Sequence, residues 1–303
     1  MEIELVTDGL MFPEGPIAMA DGSVILVEIE GGRLTRVAPD GKKTEVAHCG
    51  GGPNGAAIGP DGAVWITNNG GSFAWLKQNG LTIPGPTPPE HAGGSIQRVD
   101  IATGKVETIY EACEGRRLIG PNDLVFDRQG GFWFTDHGCG TSEGRKFGAL
   151  LYATCDGKKI VRARDHLISP NGVGLSPDET VVYMADTQLG RLWAFDVAAP
   201  GELAPPANFA PGRVIHNLQG FQLLDSLAVE AGGKVCVATI INGGVTAFDP
   251  EGGIEHFAFP DLVTTNICFG GPDMRDAWVT CSSTGKLFKC RWPRAGLRLN
   301  FNA

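Results

Sequence analysis

Six short stretches of the 303-residue chain place an oxygen-bearing side chain at a similar turn: Glu14 in Phe12-Pro13-Glu14-Gly15-Pro16, Asn54 in Gly52-Pro53-Asn54-Gly55, Asn122 in Gly120-Pro121-Asn122-Asp123, Asn171 in Ser169-Pro170-Asn171-Gly172, Asp225 in Leu224-Asp225-Ser226-Leu227 and Asn266 in Thr265-Asn266-Ile267. None of these side chains is basic. Carboxylate and amide oxygens are hard donors, and several of them brought to one point suit Ca2+, Mg2+ or Mn2+. Without a cation, converging carboxylates would repel one another and lose solvation with nothing in return. A single Pro-Asn-Gly is ordinarily a turn whose Asn bonds its own backbone. Recurrence at one place in a repeat, with Glu and Asp substituting in two copies, points instead to metal ligation for Glu14, Asn122, Asn171 and Asp225. Asn54 and Asn266 are expected to face the same pocket, in reach of a substrate rather than of the metal.

The elements that position these residues are strands. After each motif comes a short alternating stretch, a turn of the Pro-Asp-Gly kind, and a strand rich in β-branched and aromatic residues. The copies are clearest at Pro60-Asp61-Gly62 followed by Ala63-Val64-Trp65-Ile66-Thr67, and at Arg128-Gln129-Gly130-Gly131 followed by Phe132-Trp133-Phe134-Thr135-Asp136. A third is Ser176-Pro177-Asp178-Glu179 followed by Val181-Val182-Tyr183-Met184-Ala185-Asp186. Successive copies lie roughly 40 to 70 residues apart, a blade-sized period. Many short strands with regular turns predict an all-β, six-bladed β-propeller of four-stranded antiparallel blades, a single domain over 1–303 with a central metal site. In such a ring the first strand of each blade lines the axis, so the six motifs converge. Ile3-Glu4-Leu5-Val6 is expected to return as the outer strand of the last blade and clasp the ring. Glu28, Asp136 and Asp186, at the ends of second strands, are expected to bond loop amides.

Two stretches break the period, the Pro-rich Leu81 to Pro89 and the Pro/Ala-rich Ala198 to Asn208. Either can be placed over the mouth of the central pocket, and a plain surface loop is the reading adopted for both. His137, next to Asp136, is the histidine placed to reach the pocket as a substrate contact; an ordinary loop histidine is the competing reading. No H-x-x-H spacing and no Walker A loop is present.

Composition narrows the class further. The chain has 44 Gly, 20 Pro and only 19% charged residues, with a formal net charge of -9. Basic residues form no dense stripe, which disfavours a nucleic-acid partner. The first residues lack the pattern of a signal peptide, and no apolar run is long enough for a membrane span. The 8 cysteines are dispersed, as expected of free thiols in a reducing cytoplasm.

The motifs around Glu14, Asn122, Asn171 and Asp225, together with Thr265-Asn266-Ile267-Cys268-Phe269-Gly270-Gly271-Pro272-Asp273, resemble the signatures of the senescence marker protein / gluconolactonase / luciferin-regenerating enzyme family, in the family's order and over nearly the whole chain. The resemblance implies a six-bladed propeller with an axial divalent metal held by Glu14, Asn171 and Asp225. Asn122 is a fourth ligand in the diisopropyl-fluorophosphatase-like branch and a substrate contact in the animal branch. Animal gluconolactonases carry an arginine two residues before that Asn. Here the position is Gly120, leaving Arg116 or Arg117 to hold a sugar.

The expected activity is metal-dependent hydrolysis of a small, sugar-type lactone by a monomer or weak homo-oligomer. Ca2+ is the expected ion; Zn2+, Mn2+, Mg2+ and Fe2+ also suit so few protein ligands. The ion polarises the carbonyl, Asn122 contacts the reacting group and Asp225 acts as general base. Two competitors are a phosphotriester or fluorophosphate hydrolase at the same site and a non-catalytic, ligand-binding propeller with a structural metal.

Overall fold

The computed structural model describes residues 1–141, 144–207 and 209–302, and within them it contains strands and no α-helix. Six antiparallel sheets follow one another along the chain, each of four main strands. Their inner strands are Pro13–Ala18, Pro53–Ile58, Pro121–Phe126, Pro170–Leu175, Leu223–Val229 and Thr264–Gly270. Each of these contacts the next, and the sixth returns to the first, so the sheets close into a six-bladed propeller. The expected clasp is present: Ile3–Thr7 pairs antiparallel with Lys286–Arg291, with Ile3 opposite Cys290.

The second strands are buried on both faces, as at Val24–Glu28 and Gly131–Asp136, because each lies between two neighbouring blades. Alternation along a strand sends successive side chains to opposite blades. Val24 and Leu26 join Trp278 and Leu287 of the sixth blade, while Ile25 and Val27 join Ile58, Val64 and Ile66 of the second. The core is therefore divided into clusters, one at each seam between blades. The outer strands Lys43–His48 and Ile254–Ala258 are largely exposed.

Each inner strand starts at the recurring motif and ends at the turn before the second strand. The face where inner strands start, here the upper face, also carries the loops between second and third strands; the lower face carries the loops between third and fourth. This corrects the expectation for both irregular stretches. Leu81 to Pro89 belongs to a paired hairpin, Trp75–Gln78 with Leu81–Pro84, on the upper face. Ala198 to Asn208 lies at the lower face, where Glu202–Leu203 pairs back onto the third strand of its blade; Asn208 itself lies outside the described residues.

At the lower end the inner strands enclose an axial cavity of about 200 Å3, lined by Ile17, Ile58, Phe126, Leu175, Val229 and Phe269 among others. The C-terminal segment runs beneath it. Leu297 N donates to Val229 O at 2.8 Å, and Asn300 Nδ2 donates to Phe126 O at 3.2 Å and Glu179 Oε1 at 2.7 Å. All eight cysteines are free thiols, six of them buried. Among the described residues no helix is long and apolar enough to cross a membrane.

Candidate functional site

The six motif residues stand at the upper ends of the inner strands, and Glu14, Asn54, Asn122, Asn171 and Asn266 are each 5% exposed or less. A shared backbone irregularity places them. Every inner strand shifts register against its second strand at this point: between Glu14 and Ile17, Pro53 and Gly55, Pro121 and Leu124, Pro170 and Val173, Leu224 and Leu227, and Thr264 and Asn266. A bulge of this kind inserts an extra residue and re-aims the side chains beside it. Hydroxyls from the preceding blade then fix the bulged backbone. Thr67 Oγ1 donates to Asn122 O at 2.6 Å, Thr135 Oγ1 to Asn171 O at 2.5 Å and Ser282 Oγ to Pro13 O at 2.5 Å.

The electrostatics show how closely the carboxylates converge. Burial, reinforced by the charges of Asp225 and Asp123, holds the Glu14 carboxyl well above the usual range. Burial, then the charge of Asp123, pushes Asp225 up to about 7. Burial alone takes Asp123 to about 7 against the bonds that favour its charged form. Asp123 was not singled out by the sequence reading. Its oxygens accept Leu124 N at 2.8 Å and Val173 N at 3.3 Å, so it ties the third blade to the fourth.

The amides are oriented by their partners. Asn171 Nδ2 donates to Thr187 Oγ1 at 3.0 Å, which turns its Oδ1 away from that hydroxyl and toward Ser226, 3.4 Å away. Asn266 Nδ2 donates to Glu14 Oε2 at 2.7 Å while its Oδ1 accepts Ile267 N at 2.7 Å, so both polar atoms of this amide are engaged. Glu14 Oε2 also accepts Gly15 N at 2.5 Å.

Two oxygens of the set have no partner: Glu14 Oε1 and Asn122 Oδ1 are buried and accept no hydrogen bond. Buried acceptors without donors are costly and call for an explanation such as an ion. Among the described residues no three His, Cys, Asp or Glu side chains are grouped to hold a metal. The donor set at this ring is instead mixed, with carboxylates and amide oxygens together, and its two orphaned oxygens fit a hard divalent cation.

His137 is half-buried above the third blade. Its Nδ1 lies 3.2 Å from Pro170 O, an atom that can only accept, so the proton sits on Nδ1 and Nε2 is a bare acceptor. Burial and the charge of Arg145 push this imidazole down to about 3, keeping it neutral. Glu28, Asp136 and Asp186 accept loop amides, including Met11 N, Gly120 N and Ser169 N respectively. Neither arginine offered in place of Gly120 reaches the ring. Arg116 pairs with Asp165 at 2.6 Å and Arg117 donates to Ala92 O at 3.4 Å, both on an exposed ribbon. A side chain at position 120 would meet Gly138 O, since an added Cβ lies 2.9 Å from it.

Residues 12–283 match the SMP-30/Gluconolactonase/LRE-like region, and the chain belongs to that family. It is 23% identical to the gluconolactonase of Zymomonas mobilis over 297 residues, covering 88% of this chain and 76% of the relative. It is 25% identical to regucalcin of Xenopus laevis over 310 residues, covering 96% and 91%. The solved structure of a Xanthomonas campestris gluconolactonase superposes with a TM-score of 0.75 at 23% identity, covering 96% of this chain and 89% of the other.

Proposed function

We propose that this protein, acting as one domain over residues 1–303, is a divalent-metal-dependent hydrolase that opens a small lactone ring. The observation that carries this reading is the pair of orphaned oxygens, Glu14 Oε1 and Asn122 Oδ1, beside the raised carboxyl of Asp225. Gluconolactonases among the relatives supply the reaction class. Glu14, Asn122, Asn171 and Asp225 would hold the ion, with Ca2+ as the first expectation and Mg2+, Mn2+, Zn2+ or Fe2+ compatible. When bound, the ion supplies Lewis-acid polarisation of the ester carbonyl.

The remaining chemistry falls to the chain. Asn122 has an amide that serves both roles given to it, ligand through Oδ1 and substrate contact through Nδ2. Asp225 takes the proton of the attacking water as general base. Asn266 fixes Glu14 through their hydrogen bond and lies at the edge of the substrate space, with Asn54 on the other side of Glu14 in the ring. His137, neutral with Nε2 free to accept, offers an acceptor to a substrate hydroxyl or water. Free thiols agree with a reducing, cytoplasmic setting.

Elemental analysis of the purified protein, followed by turnover of a lactone panel with and without that metal, tests the reading. One bound divalent ion and chelator-sensitive lactone opening are expected. Faster turnover of a phosphotriester panel would transfer the assignment to that class. Bound metal with no ester hydrolysed would make the ion structural and the propeller a binding module.

A further inference from the structure

The hairpin of the second blade is fixed across the upper face rather than standing free. Thr82 N donates to Ser283 O of the sixth blade at 2.9 Å, and Lys77 Nζ pairs with Glu30 of the first at 2.6 Å. The Trp75 ring packs against Phe12 with centroids 4.9 Å apart, and Phe73 meets Trp75 edge-on at 6.0 Å. The hairpin therefore bridges the blades on either side of the first and passes over the start of the Glu14 strand. Phe12, two residues before Glu14, is buried, whereas Trp75 and Phe73 are half-buried. Phe12, Trp75 and Phe73 thus form a contiguous aromatic run on the face where the Glu14 strand starts.

The fifth and sixth blades add apolar groups to the same face. Phe221 and Leu262 stand exposed on the loops leading into the inner strands that carry Asp225 and Asn266. Ile241, also exposed, donates its amide to Leu262 O at 2.8 Å and holds a φ of 79°, a costly conformation for a β-branched residue. Nearby cations already have partners. Arg145 donates to the carbonyl oxygens of His137 and Ile168, Arg117 to that of Ala92, and Lys77 is paired with Glu30. Position 120 carries no side chain. Hydroxyls on a substituent pressed against these aromatic and aliphatic walls would lose water without gaining partners there.

We infer that the hairpin and the loops of the fifth and sixth blades select a lactone bearing an apolar alkyl or aryl substituent, lodged against Trp75 and Phe73, over a polyhydroxylated one. This rests on the lactonase reading above. Three six-membered lactones assayed with the metal-loaded full chain test it: glucono-δ-lactone, δ-valerolactone and δ-decalactone. The expected order of kcat/KM puts δ-decalactone first and glucono-δ-lactone last. Trp75→Ala is expected to raise KM for δ-decalactone about tenfold and to shrink its advantage over δ-valerolactone by a similar factor, with Trp75→Phe restoring most of it. Should Trp75→Ala fail to fold, Phe221→Ala is expected to move the same ratio in the same direction. Glucono-δ-lactone turned over fastest, or variants that lower all three lactones equally, would overturn the inference. If none is hydrolysed, calorimetric titration with δ-decalactone separates the two readings. Binding weakened by Trp75→Ala keeps the apolar site and removes the lactonase; no binding removes both.

Discussion

At the upper end of the six inner strands stand Glu14, Asn122, Asn171 and Asp225; at the lower end the same strands carry Ile17, Phe126, Leu175, Val229 and Phe269. Glu14, Asn122 and Asn171 are buried, Glu14 and Asn122 each with an acceptor left unmatched, and the carboxyls of Glu14 and Asp225 are held above their ordinary range. The lower residues surround a cavity under which the C-terminal segment is bonded to two strands. One set of strands thus meets two opposed demands. The bulged end gives up local stability to gather donors, and the regular end contributes the apolar burial that offsets it.

The contrast can be broken by substitutions at either end. Glu14→Gln is expected to lower lactone turnover by about a thousandfold, a loss typical of removing a group that stabilises developing charge. Its melting temperature should hold or rise, because the substitution removes an acid that burial, Asp225 and Asp123 all oppose ionising. A fall in Tm as large as that of a core truncation would contradict the division of labour. At the lower end, Phe269→Ala should cost about 3 kcal/mol in urea unfolding while leaving kcat/KM nearly unchanged. Phe269 packs so closely on Gly296 of the C-terminal segment that a Cβ there would overlap its ring. A large loss of kcat would show that the lower end also shapes the site.

A smaller effect is expected from Asp225→Asn, about a hundredfold in kcat. Full turnover with metal retained would remove its assignment as base. The smallest and most diagnostic effect concerns pH. Asp123 and Asp225 are each pushed up to about 7 and Glu14 is also raised, against about 4 in an unfolded chain. Between those values the folded, chelated protein holds protons that the unfolded chain has released. Its stability is therefore full below about pH 4 and declines as pH rises toward about 7. Metal binds the ionised carboxylates and should flatten or invert this slope. Melting curves from pH 5 to 8, with and without chelator, check the sign; a chelated Tm that rises over that interval would place these acids in water.

The propeller was legible because its signal is repetition. Turn residues and β-branched strands recur at blade spacing, and Ile3 to Val6 had the alternation of a strand without a local partner. The convergence of the six motif residues followed from that periodicity. The bulges did not, since register against a neighbour is invisible in a single strand. In a regular strand successive side chains face opposite ways, so recurrence at one motif position points to Asn122 and gives no signal for Asp123 beside it. The extra residue at the bulge allows both to serve the interior, and Asp123 is close enough to raise its neighbours. A partial clue to the interblade bonds was present, because Thr67 and Thr135 stand at matching places near the ends of second strands. The bridging hairpin was hidden for another reason: Phe12 and Glu30 lie across a seam in the first blade, and Ser283 lies in the sixth, which only ring closure brings alongside it.

Ring closure also has a consequence for biosynthesis. Ile3 lies opposite Cys290, so the first strand of the propeller finds its partner only after all the other blades have been translated. Until then the nascent product is an open fan. The faces of Val24, Leu26, Trp278 and Leu287 remain wetted, because the seam that joins them forms last. Such an intermediate is adhesive, and its yield in the cell should depend on chaperone supply and on elongation rate more than the finished protein's resistance to unfolding would suggest.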